Sequence, residues 1–175
     1  MQQSLAGRRG LLRPFALVLV AFDKVAGWAI VGLISAMVAL VSGQVLLRYA
    51  MNSSMGFADE LSRLTFVWSI FLAIPLGVRL GVHIGMELLT ARLSAPVQNI
   101  LVRLMAAGAA AMMTLVAWQS AVVAFDQWDE GMASMQFSAA WFIVAVAVGS
   151  THSALHLAWI VLTGKPTHIA GMETE

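Results

Sequence analysis

The side chains that could do chemistry in this sequence fall into three groups. The densest runs Arg48-Tyr49, Asn52 and then Asp59-Glu60-x-x-Arg63. On a helix, Asp59 and Arg63 stand four apart and Glu60 and Arg63 three apart, so either carboxylate can pair with the guanidinium. Neighbouring carboxylates suit acid–base catalysis, but no nucleophile accompanies them. The group fits a charged helix start, because acidic side chains favour the positive end of the helix dipole. It also fits a lock onto another subunit, or a proton or ion site. The second group is His83, His152 and His156, the last two sharing one helical face. If all three converge they could hold a metal or a b-type haem, since neutral imidazole ligates both. The alternative is hydrogen-bonded polar residues inside a bundle. The third group is Asp126-Gln-Trp-Asp-Glu-Gly131, acidic with one aromatic. Trp128 could be an interfacial anchor, or Asp126, Trp128, Asp129 and Glu130 could dock an extracytoplasmic protein.

Several chemistries are excluded. The chain has no cysteine, which removes dithiol redox, thiolate metal sites, covalent haem attachment and cysteine nucleophiles together. No phosphate loop, zinc spacing or serine triad occurs. Net charge is +1 with no Lys/Arg stripe, so nucleic acid is not an expected partner.

The elements that must position these groups are set by hydrophobicity. Of the 175 residues, 60% are hydrophobic and 11% charged. A soluble domain carries roughly 25% charged residues, so the excess apolar surface must face something other than water. Spanning a hydrocarbon core of ~30 Å takes about 20 apolar residues as helix. Four stretches qualify, at about 25–47, 57–78, 104–125 and 139–162. The expected fold is an all-α membrane protein, with spans in 25–163, an N-terminal segment over 1–24 and a tail over 164–175. Strand alternation of a membrane barrel is absent. Span two is the shortest and starts near Phe57, with Asp59, Glu60 and Arg63 in its first turns. Pro75 is expected to kink it.

Arg8, Arg9 and Arg13 before an apolar run resemble a signal peptide, but Asp23 and Lys24 follow with no cleavage pattern. Pro14–Phe22 is therefore expected as a short helix lying in the interface, and a second is expected over Gly85–Leu93. Every Asp and Glu is expected outside or at the edge of a span, which argues against a small self-assembling exporter. Arg8, Arg9, Arg13, Lys24, Arg79, Arg92, Arg103 and Lys165 fall on one side of a four-span topology, and Arg48 and Arg63 on the other. The positive-inside rule then puts both termini in the cytoplasm. Gly32, Ser35, Ala36, Ala39 and Gly43 form a small-residue stripe, and 106–111 a broader patch. Small residues let helix backbones approach in lipid, either within the bundle or against a partner.

The stretch Arg48 to Leu89, RYAMNSSMGFADELSRLTFVWSIFLAIPLGVRLGVHIGMELL, resembles the small permease subunit of TRAP transporters, the DctQ-like family. The resemblance rests on Arg48, Tyr49, Asn52, Phe57, Asp59, Glu60, Arg63, Trp68, Phe71, Gly81, His83 and Ile84. The segment 131–149, with Trp141, is similar to the start of the family's fourth span. Phe57 and Asp59 stand where Trp and Glu are frequent, and Ser138-Ala139-Ala140 where Pro is common. The resemblance implies a non-enzymatic subunit in a bacterial inner membrane, without metal or cofactor. Its system imports an organic-acid-type solute on an ion gradient. The small subunit would scaffold a large permease subunit, with a periplasmic solute-binding protein as the third component. Arg48, Asn52, Asp59, Glu60, Arg63, Trp68 and His83 would then serve subunit contact or positioning. The rival reading is a four-helix b-type cytochrome using His83 with His152 or His156.

Overall fold

The computed structural model describes residues 2–53, 55–79 and 94–164, with side chains from Pro14 onward. Four α-helices make up these residues: α1 (Gln2–Met51), α2 (Gly56–Arg79), α3 (Ala95–Asp126) and α4 (Ala140–Thr163). Each is long and apolar enough to cross a membrane. Helix is the form in which an isolated segment satisfies its own backbone groups in lipid. Hydroxyls within the helices follow the same economy by bonding back to preceding carbonyls. Thr65 donates to Leu61 O at 3.0 Å, Ser69 to Phe66 O at 2.7 Å, and Thr151 to Ala147 O at 2.7 Å.

Helix ends follow local chemistry. Asn52 takes a left-handed conformation, φ 48°, which its short polar side chain tolerates, and the chain leaves α1 there. Ser94 is extended, and Pro96 sits in the first turn of α3, where its missing N–H costs nothing. Ser138 lies two residues before the first residue of α4, and its hydroxyl accepts the Ala140 N–H at 3.1 Å, satisfying one otherwise orphaned donor. At the far end Gly164 adopts φ 72°, and its N–H closes on Ile160 O at 2.7 Å.

The expected spans at 25–47, 57–78 and 104–125 lie inside the first three helices, and 139–162 is offset by one residue from the fourth. One expectation is corrected. Pro14–Phe22 is not a separate short helix but part of α1, which continues through Asp23 and Lys24 without a break. The reason is a single stripe. Leu19, Asp23 and Ala26 are buried along one face, and Phe15 on the same face stacks on Trp159 of α4 at 5.9 Å. Pro14 lies inside α1, and the 38 residues from Pro14 to Met51 extend about 57 Å, more than the ~30 Å core. α1 must tilt or project beyond the bilayer. The surface helix expected over 85–93 lies outside the described residues.

The main helix contacts run α1 to α2, α2 to α4 and α4 to α3. The helices therefore form a row with α2 and α4 central. In the most apolar stretch of α4, 44% of residues are buried, against none in α1 and 6% in α3. The α2–α4 seam is tight at Gly149, where any Cβ would collide with the carbonyl of Phe71. Pro75, buried in α2, belongs to the same core.

Gly149→Ala should force the seam apart and destabilise the chain by about 1–3 kcal/mol, the usual cost of overpacking. Thermal unfolding in detergent reads this as a lower Tm. Gly108→Ala, where a Cβ meets nothing within 4 Å, should leave it unchanged or slightly raised.

Candidate functional site

Two polar centres flank the apolar middle of the row, and α2 contributes to both. Asp59 lies in its first turn and Arg79 in its last. They stand 20 positions apart, about 30 Å along a helix, which matches the hydrocarbon thickness.

The first centre gathers the start of α2, the end of α1 and the loop before α4. Gln44 of α1 donates from Nε2 to Asp59 Oδ1 at 3.1 Å. Glu60 reaches the loop, where its two oxygens accept the backbone N–H groups of Ala133 at 2.8 Å and Ser134 at 2.9 Å. The Ser134 hydroxyl also donates to Glu60. The loop folds back on itself, with Met132 N–H donating to Phe137 O at 2.8 Å and Ala139 N–H to Glu130 O at 2.7 Å. Trp68 pins its far side by donating from its indole N–H to Trp141 O at 3.1 Å. The Trp141 ring lies 6.3 Å from Trp68 and 6.0 Å from Trp128.

This corrects the expected ion pairing. Arg63 is exposed and forms no ion pair with Asp59 or Glu60 among the described residues. Gln44 and the loop N–H groups take the carboxylates instead, because the loop presents fixed donors that cost no long side chain its freedom. Arg48 and Asn52 sit exposed at the end of α1. Asp126, Trp128, Asp129 and Glu130 are all exposed beside the same loop. His83 lies outside the described residues.

The second centre was not foreseen. Asp23 of α1, expected at the membrane edge, is 3% exposed, so one carboxylate lies inside the bundle. Its Oδ1 stands 2.8 Å from His156 Nε2 and 3.0 Å from His152 Nε2. Its Oδ2 stands 3.2 Å from Arg79. The last two contacts are close but poorly aligned. Neither Asp23 Oδ2 nor His152 Nε2 has a hydrogen-bond partner, and the same is true of the buried Ser153 hydroxyl. His152 and His156 thus meet Asp23, and the expected convergence with His83 falls outside the described residues. The sequence signal was the Phe15, Leu19, Asp23, Ala26 stripe, which the charged Asp23-Lys24 pair disguised as a boundary. The haem reading gains no support from this geometry. That reading pairs His83 with His152 or His156, and His83 lies outside the described residues, while His152 and His156 both turn Nε2 to the Asp23 carboxylate.

The matched region decides the family. A family model for the DctQ component of tripartite ATP-independent periplasmic transporters matches residues 37–164. The chain belongs to that family. No curated protein matches it. As a DctQ component it is a small membrane subunit of a TRAP transporter, a transporter component and not a member of an enzyme family. The matched region contains the whole first polar centre together with His152 and His156, whereas Asp23 precedes it.

Glu60→Gln should release the loop. An amide presents one oxygen and one NH2 where two oxygens are needed, so one backbone N–H loses its acceptor. Hydrogen exchange at Ala133 and Ser134 should accelerate while the α2–α4 core stays protected. Unchanged exchange at both amides would show that Glu60 does not hold the loop.

Proposed function

We propose that this DctQ component is the scaffold subunit of an ion-gradient-driven importer of an organic-acid-type solute in a bacterial inner membrane. It binds the large permease subunit laterally, chiefly through α1. The observation that carries this reading is the stripe on α1. Gly32, Ser35, Ala36 and Ala39 are exposed, and a Cβ at Gly32 would meet nothing within 4 Å. Among the described residues the close-approach surface that such residues create is unused, which supports its serving a second set of helices. Large apolar side chains along the flanking helices, including Trp28 at 73% and Trp118 at 71% exposed, give the same helices lipid and partner contact.

The polar groups support a static role. A transport path needs polar groups spaced through the bilayer depth. Here the helices' main ionisable contacts gather at two ends, where they tie helix to helix and helix to loop. Arg48, Asn52, Asp59, Glu60, Arg63, Trp68 and His83 thus serve positioning or subunit contact. The exposed Asp126, Trp128, Asp129 and Glu130 offer an acidic, aromatic surface to the periplasmic solute-binding protein. Both termini then lie in the cytoplasm.

The test is co-expression with the large permease subunit. Wild-type chain should co-purify with it and be required for uptake of a labelled organic acid. The double substitution Gly32→Leu, Ala36→Leu should leave the isolated chain's Tm unchanged. It should weaken association about tenfold or more, equivalent to roughly 1.4 kcal/mol. Uptake without the chain, or full co-purification of the double variant, would contradict the scaffold reading.

A further inference from the structure

Asp23, His152 and His156 offer three metal-ligating atoms within 4.8 Å of one another, all on buried residues. The spacing of the two histidines, four apart on one helix face, is the spacing by which helical imidazoles chelate one ion. The carboxylate comes from a different helix, so the three ligand atoms converge from two elements. Two imidazoles and one carboxylate suit a borderline-soft divalent ion such as Zn²⁺, with a fourth position left for water. A tetrahedral ion with ligands at about 2.0–2.1 Å spaces those ligands about 3.3 Å apart. The two Nε2 atoms lie 3.0 and 2.8 Å from Asp23 Oδ1, so each histidine–carboxylate separation needs to open by only a few tenths of an ångström, and all three atoms lie within 4.8 Å of one another.

The protein's own bonding leaves this group unfinished. His152 has a side chain only 8% exposed, and its Nε2 is turned to Asp23 without an aligned hydrogen bond. Asp23 Oδ2 has the Arg79 guanidinium at 3.2 Å but no aligned hydrogen bond. Unmet buried polar atoms are costly, and a cation held by Asp23 and His156 would answer His152 Nε2 as well. Arg79 is the only ion-paired cationic side chain facing Asp23 among the described residues, apart from the histidines. It is the last residue of α2, its side chain is 22% exposed, and it can turn outward when an ion takes over the carboxylate.

We propose that Asp23, His152 and His156 form a divalent transition-metal site of the zinc class that ties α1 to α4. It is independent of the scaffold reading. Because Asp23 precedes the family-matched region, the site joins that region to the N-terminal part of α1. Metal binding would fix the part of α1 that reaches beyond the bilayer's span.

The test uses the full chain in lipid nanodiscs, purified through a histidine-free tag. Zn²⁺ binding is read by titration calorimetry, and Co²⁺ by its visible ligand-field bands. Wild type should bind one Zn²⁺ per chain and give the intense Co²⁺ bands of a four-coordinate site. His152→Gln and His156→Gln should each lose affinity on the order of 100-fold, since even outer partners of a metal site cost 10–100-fold. Arg79→Met should bind as tightly or more tightly, because it removes a competing cation. A purely structural ion-pair cluster would not respond in that direction. The double variant His83→Gln, His168→Gln should keep the site. Folded wild type that shows neither saturable Zn²⁺ binding nor the Co²⁺ bands overturns the proposal. So does binding that survives His156→Gln, or that is lost in the His83→Gln, His168→Gln variant.

Discussion

A bilayer offers no water to a polar group at depth, so such a group must be answered by protein or carried to an interface. That constraint arranges this chain. The backbone is answered by four helices, and the hydroxyls of Thr65, Ser69 and Thr151 turn back onto preceding carbonyls. The strongest polar side chains collect in two centres about 30 Å apart on α2. Between them the chain can be apolar, and the seam can be as close as the Gly149–Phe71 contact requires.

The row of helices follows from the same arrangement. Each centre ties helices together: Gln44 joins α1 to Asp59 of α2 and Glu60 of α2 holds the loop before α4, while Asp23 of α1 meets Arg79 of α2 and His152 and His156 of α4. α3 packs on the far side of α4, where the Arg103 guanidinium lies against Gly164 at the α4 terminus. α1 and α3 are left with outward faces that no described residue covers. For a DctQ component this is a consistent design. In the scaffold role proposed above, the centres form a two-ended frame and the flanks meet lipid and other subunits.

The sequence made the four helices legible because hydrophobic length is a strong signal in membranes. It made the family legible because Arg48 to Ile84 concentrates polar and aromatic residues at one charged helix start. It concealed Asp23. A carboxylate next to a lysine reads as a boundary, and only the three-dimensional meeting of α1 with α4 shows that Asp23 continues a buried stripe begun at Phe15 and Leu19. The Asp59-Glu60-Arg63 spacing misled in the opposite direction. Local geometry permits an ion pair, but loop N–H groups 73 and 74 positions away bind Glu60, and no local pattern reports a partner that distant. The stripe on α1 was legible as small residues, and its outward exposure was not.

The absence of cysteine makes the central claim directly accessible. A single cysteine at Ala36 on the α1 stripe, paired in turn with single cysteines along the large permease subunit, can be tested for disulfide cross-linking in native membranes. Met112, exposed on α3, serves as the control position. The account predicts efficient cross-links from Ala36→Cys to one helix of the large subunit and none from Met112→Cys. Cross-links confined to Met112→Cys, with none from the stripe, would contradict it.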